Sequence, residues 1–186
     1  MKWFIASDIH GSAYYCREML HAFEREKADR LLLLGDILYH GPRNDLPKEY
    51  NPKAVIEMLN PMKDCILCVR GNCDGEVDQM VLQFPILADY AVLCAGDRMI
   101  YATHGHHFNP GHMPPLKAGD ILLNGHTHIP ACEKIGGCWY MNPGSVSIPK
   151  EGSKHGYILL QENQWQWKML NGQVYMQWNP AAEEKR

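Results

Sequence analysis

Between Lys2 and His128, five short apolar runs each stop at a small polar group. The groups are Asp8-Ile9-His10, Gly35-Asp36, Gly71-Asn72, Thr103-His104-Gly105 and Gly125-His126-Thr127-His128, in that order. The clearest run is Leu31 to Leu34, four leucines between Arg30 and Gly35. Continuous apolarity of that length suits a strand buried on both faces, as in a parallel sheet. Strand ends of one sheet converge in space, and ligands of open α/β sheets sit at those carboxyl ends. The repeat therefore predicts that side chains rich in oxygen and nitrogen meet at one edge.

The intervening segments read as helices and loops. Ser12 is a cap, and Cys16, Met19, Leu20 and Phe23 follow at helical spacing, which predicts a helix to about Glu26. Asn51-Pro52 is a cap followed by proline at the first helical position, with Val55, Ile56, Met58 and Leu59 as its buried stripe. Residues 37–51 are polar, hold Gly41, Pro42 and Pro47, and predict a long loop. Cys65 to Val69 reads as the third strand. The second half predicts strands over 88–93, 99–103 and 120–123, then a hairpin at Gly136-Gly137. A meander follows over 157–161, 165–169 and 174–178. The expected fold is α/β: two packed β-sheets flanked by helices, an αββα sandwich. We expect one domain over 1–186, with 179–186 a flexible tail.

Bulk properties remove several classes of function. With 46% hydrophobic residues the chain affords a core without staples. The net charge of −3 argues against broad capture of nucleic acid, though not against a local basic rim. No run approaches the ~20 apolar residues that span a bilayer, so no membrane role is expected. The opening Lys2-Trp3-Phe4-Ile5-Ala6 reaches Asp8 too soon for a signal peptide and reads as a strand. Seven cysteines are scattered, and Cys65, Cys68, Cys94 and Cys138 lie in apolar runs. They read as reduced small hydrophobes of a cytoplasmic protein. Cys65 and Cys68 have a redox spacing but sit in a strand run rather than at a helix start.

The polar groups suggest chemistry. Asp8 and His10, two apart, point the same way if the chain stays extended, as do His126 and His128. Carboxylate, amide and imidazole together suit manganese, iron, zinc or nickel rather than an all-oxygen magnesium or calcium site. Two such ions ~3.5–4 Å apart activate a shared water and clamp a phosphorus centre. No serine stands in a nucleophile elbow.

Together these groups resemble the signature of the calcineurin-like metallophosphoesterases, over residues 8 to 128. The later Asn142-Pro143-Gly144-Ser145 resembles the turn that follows in the small prokaryotic branch, and Gly35 to Asn44 with Tyr50-Asn51-Pro52 resembles the YfcE group of small phosphodiesterases. The resemblance implies two divalent metals, manganese foremost. One would take Asp8, His10, Asp36 and His128; the other would take Asp36, Asn72, His104 and His126. It implies hydrolysis of small phosphodiesters by a water or hydroxide bridging the metals, with Asn72, Cys73 and His106 as catalytic candidates. Many members carry histidine where this chain has Cys73, and a thiol donates a proton weakly. That substitution predicts a preference for diesters or acidic leaving groups. His40, Arg43 and His106 are expected to contact substrate, Arg43 as a phosphate fork. The expected partner is a small phosphoester, with self-association through apolar strands as a further expectation. The alternative is a non-catalytic scaffold resembling a retromer subunit of this fold. A nuclease for long nucleic acid lacks its basic stripe.

Overall fold

A computed structural model describes residues 1–180. The first sheet contains β1 (Lys2–Ala6), β2 (Arg30–Leu33) and β3 (Ile66–Cys68), mutually parallel. The second contains β4 (Ala91–Ala95), β5 (Arg98–Ala102), β6 (Ile121–Leu123), β7 (Pro130–Ile135) and β8 (Cys138–Pro143), in the order β4-β5-β6-β8-β7. The meander of β9 (Gly156–Gln161), β10 (Gln164–Met169) and β11 (Val174–Trp178) returns to the first sheet, giving β11-β10-β9-β1-β2-β3.

The four leucines show why this stack forms. Leu31 and Leu33 pack with the helices, whereas Leu32 and Leu34 face the other sheet, and all four are fully buried. Helix α1 (Ala13–Glu26) and helix α2 (Pro52–Leu59) cover the outer face of the first sheet through Cys16, Met19, Val55 and Leu59. Ser12 Oγ accepts the Tyr15 N–H at 3.2 Å and Asn51 Oδ1 accepts that of Ala54 at 3.2 Å, so both predicted caps close their helices. Between the sheets lie Trp139, Trp165, Trp167 and Trp178. On the outer face of the second sheet the loop residues Phe108, Met113 and Leu116 cover Tyr101, Leu122 and Tyr140, where a helix was expected.

Other differences are local. Strand β4 starts three residues late because Asp89 is held in a loop, its carbonyl accepting from Thr103 Oγ1 at 2.9 Å. Cys65 ends a 3₁₀ turn (Asn60–Cys65) rather than lying in β3, and Cys94 is exposed on edge strand β4. Helix α3 (Glu76–Gln79) is too short to leave a periodic signal. Of the expected tail, Pro180 is buried and 181–186 lie outside the described residues. Among the described residues no helix is long and apolar enough to cross a membrane.

Candidate metal centre

The carboxyl ends of β1, β2 and β3 meet those of β5 and β6 from the facing sheet. Two sheets, rather than one, thus supply the polar groups. The backbone does not stay extended there. Asp8 (φ 60°), His10 (φ 50°), Asp36 (φ 55°), His126 (φ 64°) and His128 (φ 62°) all occupy the left-handed region. Such a conformation costs a non-glycine residue about 1 kcal/mol or more and concentrates at functional sites. The chain turns sharply over the strand ends, which brings the donors together where an extended strand would have spread them. Hydrogen bonds hold the turns: Asp8 N–H donates to Gly35 O at 3.1 Å and His10 N–H to Asp36 O at 2.9 Å. Gly71 allows the close approach of two loops, since a Cβ there would lie 2.1 Å from Asp36 Oδ1.

The imidazoles are aimed by their outer nitrogens. Nδ1 of His10 donates to Tyr39 O at 2.7 Å, that of His104 to Leu34 O at 2.6 Å and that of His128 to Ile148 O at 2.6 Å. Their Nε2 atoms therefore face inward. His10 Nε2 and His128 Nε2 are 3.3 Å apart, and Asp8 Oδ1 lies 3.5 and 3.2 Å from them. That oxygen is buried with no hydrogen-bond partner. At the other end His104 Nε2 is 3.0 Å from Asn72 Oδ1 and 3.2 Å from His126 Nδ1. Asp36 Oδ2 stands between, 3.7 Å from His10 Nε2 and 3.5 Å from His104 Nε2. Lone pairs facing one another across an orphaned carboxylate oxygen suit cations, and the donor set fits borderline divalent metals. Ligand atoms of Asp8, His10 and His128, and those of Asp8, Asp36 and His104, lie within 4.8 Å of one another.

Two braces that the sequence did not reveal hold these loops. The buried Asp74 carboxylate accepts the N–H groups of Asp36 (2.8 Å), Ile37 (2.9 Å) and Gly71 (2.8 Å). Ser145 Oγ and Ser147 Oγ donate to Asp8 O at 2.9 and 3.0 Å. The available signals were Asp74 in the turn after Asn72 and the Asn142 to Ser145 turn.

Electrostatics follows from burial among opposite charges. Burial opposes it, yet hydrogen bonding to Asp36 and the charges of Asp8 and Asp36 raise His104 to about 9. Burial likewise opposes the attraction of the neighbouring His10, His128 and His104, which holds Asp8 well below its usual value. In metal-free protein the raised His104 contributes stability below about pH 6.5 that is lost as pH rises through about 9. The lowered Asp8 contributes above the usual carboxylate range and loses that contribution as pH falls below it. The metal-free melting temperature is expected to fall by about 5–10 °C between pH 6.5 and 9. Scanning calorimetry reads this, and a flat profile over that window contradicts it.

A cavity of about 410 Å³ opens over His10, Asp36, Asn72, His126 and His128. Cys73 and Arg43 line it, together with Asn44 and Thr127 from the motif stretches and Lys150, which lies outside them. Cys73 Sγ accepts from Asn72 Nδ2 at 3.2 Å, and burial beside Asp36 and Asp74 pushes its thiol far up. His40 is placed differently, edge-on between Tyr39 and Tyr50 and off the cavity lining. His106 is half-buried beside His104 and His126, with ring centroids 5.4 and 6.3 Å away, and also off that lining. Burial and its histidine neighbours push His106 down to about 4.

The Calcineurin-like phosphoesterase superfamily domain matches residues 1–164. The chain is a calcineurin-like phosphoesterase. Within that family, Phosphodiesterase YfcE of Escherichia coli (strain K12) is 47% identical over 160 residues, which are 86% of this chain and 87% of that protein. A solved structure of the E. coli YfcE phosphoesterase covers 96% of this chain and 98% of its own, at 43% identity and a TM-score of 0.92. Vacuolar Protein Sorting 29 from Cryptosporidium parvum covers 96% and 97%, with a TM-score of 0.60, at 18% identity. The last likeness speaks for the fold alone. The calcineurin-like sandwich expected from the sequence is thus the fold found.

Proposed function

We propose that this chain is a metal-dependent phosphodiesterase acting on small phosphodiesters. The observation that carries the reading is the buried Asp8 Oδ1, which accepts no hydrogen bond amid inward-facing imidazole nitrogens. The 47% identity to a phosphodiesterase supports it over a scaffold. Asp8, His10, Asp36 and His128 would hold one ion, and Asp36, Asn72, His104 and His126 the other. When bound, the pair would supply Lewis acidity and activate a solvent nucleophile. The chain's own groups orient and position. The carbonyls of Tyr39, Leu34 and Ile148 hold the imidazoles in their aimed tautomers, and Asp36 spans both halves. Manganese is the proposed metal, with iron, zinc or nickel as substitutes. The free cysteines support a reducing, cytoplasmic setting. We further read 1–186 as one domain, and the exposed Val92 on edge strand β4 as a surface for self-association.

Chelation tests this directly. Chelator-treated protein is expected to lose hydrolysis of an aryl phosphodiester and regain it best with manganese, at two ions per chain. Fewer than one ion per chain with no rescue by any of the four metals returns the scaffold reading.

Cys73 supports the preference for diesters. Its thiol lines the cavity where many relatives place a better proton donor. Cys73→His is expected to raise the ratio of aryl monoester to diester hydrolysis by about tenfold, within the range of acid catalysis. An unchanged ratio defeats this assignment.

A further inference from the structure

We propose that the cavity selects phosphodiesters whose non-leaving arm carries its own negative charge, read by Lys150 and Arg43. This rests on the phosphodiesterase reading above and goes beyond it to the class of substrate.

The first support is the lining. Apart from Pro42 it holds no aliphatic or aromatic hydrocarbon side chain, and its rings are the imidazoles of the metal centre. Ligand pockets are ordinarily lined mostly by apolar side chains. In a cavity of about 410 Å³ that lining favours a polar or charged arm beside the scissile phosphate over an extended acyl chain.

The second support is charge. Two divalent cations against the carboxylates of Asp8 and Asp36 leave an excess that a singly charged diester and a hydroxide balance. Lys150 and Arg43 then remain as extra cations on the lining. Neither has a carboxylate partner among the described residues. A substrate with one more anionic group supplies what they lack.

The third support is placement. The two cations come from different loops, Arg43 from the 37–51 loop and Lys150 from the turn after Ile148. Lys150 is tethered at the metal centre: its N–H donates to His128 O at 3.2 Å. Ser153 Oγ donates to the Lys150 carbonyl at 2.6 Å. Its side chain thus leaves the backbone beside a proposed metal ligand. Arg43 adds a planar fork suited to carboxylate or phosphate oxygens.

The test uses three p-nitrophenyl phosphodiesters with a common leaving group and an ethyl, carboxymethyl or choline arm. With manganese-loaded full-length protein, the carboxymethyl ester is expected to show a KM about tenfold lower than the ethyl ester, from ion pairs with the exposed Arg43 and Lys150. The choline ester is expected to be poorest. In Lys150→Glu and Arg43→Glu the ratio of carboxymethyl to ethyl kcat/KM is expected to collapse toward unity or invert. Calorimetry provides a readout independent of turnover: 3-phosphonopropionate should bind about tenfold tighter than ethylphosphonate. Equal KM for the three esters, or a carboxymethyl preference that survives both reversals, overturns the proposal. If no ester is hydrolysed with any of the four metals, the phosphodiesterase reading fails instead. Calorimetry then still decides the pocket, because equal affinity for the two phosphonates in the unaltered protein overturns the anion-reading role.

Discussion

Replacing Asp36 by asparagine is expected to lower kcat on a phosphodiester by at least about a thousandfold and to remove at least one bound ion per chain. Asp36 stands between the two groups of donors. Its Oδ2 lies 3.7 Å from His10 Nε2 and 3.5 Å from His104 Nε2, and its Oδ1 accepts the Cys73 N–H at 2.8 Å. An amide keeps the shape but removes the negative charge and turns one oxygen into a donor, so it cannot span two cations. The loss should therefore fall on both ions, unlike that of His126→Ala at one end. Elemental analysis gives the stoichiometry. Thermal shift adds a second readout, since a ligand that binds only the folded state raises its stability. The unaltered protein should gain melting temperature on adding manganese, and the variant should gain little. Two retained ions with near-normal turnover would sink the bridging assignment.

The second large effect is on stability. Asp74→Ala is expected to destabilise the protein by about 3–5 kcal/mol, because three N–H groups lose their common buried acceptor. Asp74→Asn should lose less, since one carbonyl oxygen remains to accept. The same contacts hold the loops that carry Asp36 and Asn72, so metal affinity in the asparagine variant should fall by about 10–100-fold. Urea denaturation measures the first effect and metal titration the second. A loss below about 1 kcal/mol in Asp74→Ala would show that the loops hold their shape without the carboxylate.

Much of this site was legible along the chain, for identifiable reasons. The leucines of β2 declared a strand buried on both faces because water is excluded from each side of it. Ser12 and Asn51 declared helix starts because their side chains satisfy nearby N–H groups. Each polar group could be placed at a strand end because apolar periodicity stops where the strand does. Other features left no such mark. Asp8-Ile9-His10 suggested an extended chelate, yet both residues are left-handed. His40 packs edge-on between Tyr39 and Tyr50, a placement that its loop sequence does not show. Asp74 sits in a turn that its sequence describes as ordinary. Lys150, outside all five polar groups, reaches the cavity because its N–H is tied to His128 O.

Local order along the chain accounts for the strands, the caps and the placing of seven candidate donors at strand ends, because hydrophobic spacing and turn chemistry act between near neighbours. Which donors meet, and what holds them, arose only when distant strands paired and the sheets stacked. Ser145 reaches Asp8 across 137 positions and Asp74 reaches Asp36 across 38. The first contact depends on how the two sheets close over one another and the second on the parallel pairing of β2 with β3, and no short pattern of residues records either.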